Sequence, residues 1–404
     1  MKIALFHMGF MYSGGGERTV IYENLSLKKQ GHHVTCFAPT FRPEVCHPDL
    51  IRKIDLKGFL PKLKVPLPLR DFLSLGLSSF MTPFFTHKFL DFDVILCHGQ
   101  PTTWIGYSVA KNLHKPYVSY LHQPARFLYP RPIDLKVKWR TKKDFALLND
   151  LAKMAKPLAK AWDHISVTSS NAVLANSRWT SALTEKIYGR KPIVCPPGVD
   201  VERYRPAPRL SEIEVNDRVI KGPFILSTNR HYPQKGLKYF LLMMPKVLTK
   251  CNVQLVITGA STGYKTTLWR LADELKIRDK VIFTKQVSEN DLIKLYQNAE
   301  VYAYSSPYED FGLGPIEAMA CGTPAVVWNY AGPRETVIDG ATGFKAKPYS
   351  VNDFADKVTR LLTDEKLNRE MGANAADFVK KNYPWDKHAK ILETVLLDAL
   401  VYKI

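Results

Sequence analysis

The stretch "YEDFGLGPIEAMACGTPAVVWNYAGPRE", residues 308–335, carries the pattern from which the fold is read. Two glutamates, Glu309 and Glu317, are separated by seven residues, among them Gly312, Gly314 and Pro315. Proline suits the first turn of a helix, where the N–H it lacks would have no partner. Glu317 then falls within that turn, and the glycines leave the preceding amides open. After the helix comes "AVVWN" (325–329), short and wholly apolar. Apolar strands separated by helices indicate a parallel sheet covered on both faces.

The same alternation runs outward along the chain. Strands are predicted in the first half at 2–7, 33–38, 94–99, 117–122, 172–177 and 193–198. In the second half they are predicted at 224–229, 253–259, 281–287, 301–306 and 325–329. The series restarts after a polar, proline-bearing stretch without clear period, residues 201–222. The prediction is an α/β protein of two doubly wound, Rossmann-like domains, 1–200 and 223–384, with 201–222 as linker. Ligands in such sheets bind beyond the carboxyl ends of the strands, so a cleft between the domains is the expected site.

Composition narrows the class. The chain has 404 residues, 46% hydrophobic and 24% charged, which is enough for two cores of soluble type. Its six cysteines are scattered, most of them in or beside strand-like runs, which fits buried free thiols rather than a disulfide framework or zinc site. "MKIALFHMGF" reads as a first buried strand rather than a signal peptide, because "SGGGER" follows where a cleavage site would be needed. No run approaches the roughly 20 apolar residues of a membrane span. The net charge of +19 favours an anionic partner. Nucleic acid is the weakest candidate, since no zinc-finger spacing, aromatic RNA-binding motif or basic helical stripe is present.

Three segments suit phosphate. "SGGGERTV" (13–20) follows the first strand and opens a helix, with Gly15 and Gly16 at its start. It is not a dinucleotide fingerprint, and the second strand ends "CFAPT" without the acid that would hold an adenosine ribose. "STNRHYPQKG" (227–236) places Arg230 and Lys235 at a strand's carboxyl end, a fork and a point charge suited to a diphosphate; a solvated loop is the alternative. "FGLGPIEAMACG" (311–322) is the third, and taken alone Glu317 there reads as an ordinary first-turn acid.

Together these motifs resemble the retaining glycosyltransferases of family 4, which have the GT-B fold. The resemblance rests on Glu309-x7-Glu317, "GGGER", "NRHYPQKG", "PPGVD" (196–200) and the closing "YPWDKHAKILETVL" (383–396). It implies that Glu317 binds the nucleotide's ribose and Glu309 the donor sugar. Arg230 and Lys235 would neutralise the departing diphosphate. The amides of Gly15, Gly16, Leu313 and Gly314 would line phosphates and sugar, with Phe311 and Gly312 in the same donor-binding turn. Val287 would lie beside the base, and residues 385–404 would pack back on the first domain.

His122, in "YLHQPAR", also matches the family and would bond the sugar and support its charged transition state. "HQPARFLYP" resembles a subgroup of bacterial and archaeal mannosyltransferases, which implies mannose carried by GDP. A transferase using UDP-linked glucose, galactose or N-acetylglucosamine is the alternative within the family. Two departures stand out: the glycine that the family usually has near Lys285 is missing, and Ala331 stands in "AGPRE" for the commoner "GGPRE". "DFD" (91–93) has the form of a metal-binding motif but immediately precedes a strand, and no cofactor or metal is expected.

The sequence reveals no carboxylate nucleophile for the opposite sugar face. The family reading is therefore front-face attack, with the leaving phosphate oxygen as base. Two stretches of the first domain are basic and amphipathic. Residues 51–90 hold Arg52, Lys53, Lys57, Lys62, Lys64 and Arg70, and residues 131–160 hold Lys136, Lys138, Arg140, Lys142, Lys143, Lys153, Lys156 and Lys160 against only Asp134, Asp144 and Asp150. Such a surface suits an anionic membrane and hence a lipid-linked or glycolipid acceptor at the cytoplasmic face. The rivals are a solvated basic surface, a nucleotide-sugar epimerase sharing the fold, and a non-catalytic sugar-nucleotide scaffold.

Overall fold

The computed structural model describes residues 1–58, 82–136, 146–216 and 218–401. The chain divides into two compact units, Met1–Gly198 with Trp385–Ile404, and Val199–Pro384.

The first unit is built on seven parallel strands: β1 (Lys2–His7), β2 (His33–Ala38), β3 (Asp55–Gly58), β4 (Val94–His98), β5 (Tyr117–Leu121), β6 (Ala172–Ala175) and β7 (Ile193–Val194). Their order is β3-β2-β1-β4-β5-β6-β7, so the winding reverses beside β1. Alternate residues of β1 serve opposite faces. Ile3 and Leu5 join the core under helices Gly15–Lys29 and Trp385–Val401, whereas Ala4 and Phe6 join the one under helix Thr102–Leu113. That double burial explains the unbroken apolar run "IALF". The last helix is fixed to this unit by Trp385, stacked on Tyr22 with ring centroids 5.1 Å apart.

The second unit carries six parallel strands, β10 (Phe224–Thr228), β11 (Gln254–Thr258), β12 (Val281–Phe283), β13 (Val301–Tyr304), β14 (Ala325–Trp328) and β15 (Gly343–Ala346). Their order is β12-β11-β10-β13-β14-β15, which places β10 beside β13. Before them, β8 (Glu212–Val215) and β9 (Arg218–Lys221) form an antiparallel hairpin.

That hairpin corrects the expectation of a linker over 201–222. Ile213, Val215 and Ile220 alternate with charged residues and bury their side chains with Phe224 and Tyr296. A period of two was present, but it was too short to stand out among the surrounding polar residues. β3 and β15 were not predicted either. β1 and β2 match the predicted bounds, and the other predicted strands end one to four residues early, because the last residues of those runs turn into loops. Val287 is therefore in the loop between β12 and helix Glu289–Asn298, not on the strand.

Of the basic stretches at 51–90 and 131–160, residues 59–81 and 137–145 lie outside the described residues. Among the described residues no helix is long and apolar enough to cross a membrane.

Candidate active site

In the second unit the predicted residues sit past the ends of β10 and β13. A one-turn helix, Pro233–Lys235, brings Lys235 round, and Gly236 follows at φ 67°, where a side chain would collide with the Ser305 carbonyl. Lys235 Nζ donates to Glu309 Oε2 at 2.7 Å, and Ser306 Oγ donates to the same oxygen at 2.9 Å. Burial alone would raise the Glu309 pKa. The Lys235 ammonium, with hydrogen bonds from Lys235, Tyr304 and Ser306, outweighs it and holds the carboxyl at about 2. Glu309 is thus an anion held against a cation. Its main-chain carbonyl accepts Gly332 N–H at 2.9 Å, which anchors the loop to the segment before helix Pro333–Thr336.

Glu317 has different company. It is 6% exposed on helix Leu313–Ala320, and its Oε2 accepts the Tyr296 hydroxyl at 2.8 Å. Thr228 Oγ1 lies 3.1 Å from Tyr296 Oη and 2.7 Å from Tyr302 Oη, so a polar line runs from β10 through Tyr296 to Glu317, with Tyr302 branching from Thr228. Gly312 caps the helix at φ 90° with no side-chain cap, and Leu313 is the first helical residue. At Gly314 a Cβ would collide with Tyr302 Oη, so glycine here lets the helix start close over β13. Phe311 is buried edge-on to Tyr383, and Val287 packs half-buried in the same apolar cluster.

Arg230 is exposed on the loop after β10, with its guanidinium 5.5 Å from the Tyr232 ring centroid. Lys285 lines a cavity of about 200 Å³ with Asn216, Arg218, Lys265, Phe283 and Thr284. Ala331, at the second departure, has φ 56°, the left-handed region that glycine occupies without cost.

In the first unit, Gly15 and Gly16 open helix Gly15–Lys29, and a Cβ on Gly16 would meet nothing within 4 Å. Packing does not require glycine there. His122 follows β5, half-buried, and its main-chain carbonyl accepts Asn176 Nδ2 at 2.9 Å. Its Nε2 is 3.0 Å from His98 Nδ1 at the end of β4, and the two rings stack at 28°. Burial, then the neighbouring His98, push the His122 pKa down to about 3, so the ring is neutral at physiological pH. Behind His98 lie Glu23 and His388, both buried.

Sequence reasoning did not single out His98, Glu23, His388, Tyr296 or Ser306. The one available signal was that the neighbouring runs "VILCH" and "YVSYLH" both end in histidine. Among the described residues no group of three or more His, Cys, Asp or Glu is arranged to hold a metal. Asp93 of "DFD" accepts the Lys2 backbone N–H at 2.6 Å, tying the start of β4 to β1.

Residues 13–203 match the model of Glycosyltransferase Family 4, and residues 210–378 that of Glycosyl transferases group 1. The chain belongs to this family of glycosyltransferases. It is 31% identical over 210 residues to a GDP-mannose-dependent alpha-(1-6)-phosphatidylinositol monomannoside mannosyltransferase of Mycobacterium tuberculosis, covering 50% of this chain and 54% of that one. The chain thus spans about half the length of that relative. Along 98% of both chains it is 23% identical to alpha-1,3/1,6-mannosyltransferase ALG2 of Dictyostelium discoideum. Its fold is the GT-B fold: sucrose-phosphate synthase from Thermosynechococcus elongatus superposes with a TM-score of 0.79 over 99% of each chain, at 19% identity.

Proposed function

We propose that this glycosyltransferase moves mannose from GDP-mannose, with retention of configuration, to a lipid-linked or glycolipid acceptor. The observation that carries the reading is Glu309, kept ionised beside Lys235 on a strand-end loop, eight positions before Glu317 on a glycine-started helix. In this reading Glu317 binds the ribose hydroxyls and Glu309 the hydroxyls of the donor sugar. Lys235 and Arg230 stabilise the diphosphate as charge develops on it. The amides of Leu313 and Gly314, after the turn shaped by Phe311 and Gly312, line phosphates and sugar, as do those of Gly15 and Gly16 at the start of helix Gly15–Lys29. Val287 lies beside the base, and His122 contacts the sugar.

The step is a front-face substitution. The acceptor hydroxyl oxygen bonds the anomeric carbon, the bond from that carbon to the phosphate oxygen breaks, and the hydroxyl proton passes to that oxygen. The relatives named for mannose, one of them also for GDP-mannose and a phosphatidylinositol glycolipid, support the choice of donor and acceptor. Docking at the cytoplasmic face of an anionic membrane is supported by exposed Phe127 and Leu158 near Lys160, whose ammonium lies 5.3 Å from the Tyr129 ring.

The test is a melting series with GDP, UDP, ADP and their common sugar conjugates, for the wild type and Glu317→Gln. A ligand at a hundred times its dissociation constant adds about 2.7 kcal/mol, or roughly 3 °C for a chain of this size. GDP and GDP-mannose are expected to raise the melting temperature in the wild type and not in the variant. A shift with UDP conjugates instead would move the donor to that class, and no shift with any nucleotide would overturn the donor site. The anomeric configuration of the product, read by NMR, tests retention.

A further inference from the structure

His122 ends a line of buried polar groups, and the protonation of each follows from what its ring nitrogens face. His388 stands between two acceptors, with Nε2 2.9 Å from Glu23 Oε1 and Nδ1 2.7 Å from the Pro196 carbonyl. Both nitrogens must carry hydrogen, so His388 is an imidazolium and its charge cancels that of Glu23. Its pKa agrees: burial opposes the charge, and the contacts with Cys195 and Glu23 outweigh burial and raise it well above the ordinary value.

The second carboxylate oxygen, Glu23 Oε2, lies 2.8 Å from His98 Nε2 in a bent approach, with both side chains fully buried. A bare ring nitrogen at that distance would set its lone pair against the carboxylate, so Nε2 is protonated. Glu23 is already neutralised by His388. A second imidazolium would leave a buried charge without compensation, so His98 is neutral and its Nδ1 is an acceptor. That atom faces His122 Nε2 at 3.0 Å, and His122 must therefore donate through Nε2.

The other groups packed here offer no competing charge. Burial, chiefly, holds His7 neutral; its ring is edge-on to His98 at 6.4 Å, and neither of its nitrogens has a hydrogen-bond partner among the described residues. Tyr120, whose ring centroid is 4.7 Å from that of His122, sends its hydroxyl to the Cys195 carbonyl.

We infer that Glu23 and His98 are positioning residues that lock His122 in the Nε2–H tautomer, leaving Nδ1 as a lone pair that accepts from a hydroxyl of the donor sugar. The sugar contact rests on the role proposed above for His122; the tautomer does not. An acceptor nitrogen suits a sugar that gains positive charge, because its lone pair is the negative end of the ring's dipole. The opposite tautomer would present an N–H and repel that charge.

Two-bond nitrogen–proton NMR on 15N-histidine-labelled protein reads the tautomers directly. The wild type is expected to show His122 protonated at Nε2 and bare at Nδ1, with His388 protonated at both. His98→Asn keeps an acceptor oxygen near the Nδ1 position and should retain the His122 tautomer and most of the turnover, followed as GDP release from GDP-mannose. His98→Phe removes the acceptor, and should give mixed tautomers with kcat lowered about tenfold and KM little changed. A bare Nε2 on wild-type His122 would overturn the inference, as would a folded His98→Phe protein with unchanged tautomer and kcat. If His122→Phe releases GDP at the wild-type rate, the sugar contact falls while the tautomer assignment stands.

Discussion

Glu309 and Glu317 share a side chain and differ in everything around it. Glu309 is ion-paired with Lys235, and Glu317 is bonded to a tyrosine hydroxyl. Their spacing was legible because both lie in one short motif. Their partners were not: Lys235 and Tyr296 are 74 and 21 residues away, and only the adjacency of β10 and β13 brings the first into reach. The Glu309 pKa falls from its ordinary 4.5 to about 2, so its stabilising effect is complete above pH 4.5 and is lost as pH falls towards 2. The stability difference between wild type and Lys235→Met, from urea titrations, should therefore be constant above about pH 5 and shrink below it. A difference independent of pH would show that the pair does not hold the carboxylate. Tyr296→Phe removes the hydroxyl bonded to Glu317. It should cost about 1–2 kcal/mol in the same titration, and also weaken nucleotide-induced stabilisation by loosening Glu317.

At the scale of elements, three glycine-related positions separate packing from ligand binding. Gly314→Ala drives a methyl into Tyr302, so helix Leu313–Ala320 must shift; a loss of about 1–3 kcal/mol is expected by calorimetry. Gly16→Ala meets open space in a helix start, and should leave stability unchanged or raise it by up to ~1 kcal/mol while slowing donor turnover. A Gly16→Ala protein with full turnover would mean that the backbone there does not approach the donor closely. Ala331→Gly relieves a left-handed alanine and should gain up to ~1 kcal/mol, which gives a physical reason for the commoner glycine. The strands themselves were read well because double burial makes them continuous apolar runs. The hairpin β8–β9 escaped because its three inward residues are spread among charges, and the histidine line escaped because its members come from four separate elements.

At the scale of the whole molecule, charge is the property that composition states most directly, and it says least about which surface acts. A net charge of +19 makes weak binding to any anionic vesicle unsurprising, so binding alone is no test. The proposed docking surface is narrower: the turn at 125–129, which exposes Phe127, packs on helix Ala146–Thr168, which exposes Leu158, 77% accessible, two residues from Lys160. A residue that buries apolar surface in the headgroup region contributes by area and is insensitive to salt, whereas each lysine near an anionic surface contributes about 1 kcal/mol that salt screens. Sedimentation with phosphatidylglycerol-containing vesicles should therefore show affinity falling with salt in the wild type. Lys160→Glu should lower it several-fold at low salt only, and Leu158→Ser should lower it at every salt concentration. If both variants bind as the wild type does, the attraction is spread over the surface and this turn is not the membrane-facing side. If vesicles are not bound even at low salt, the proposed docking at an anionic membrane falls.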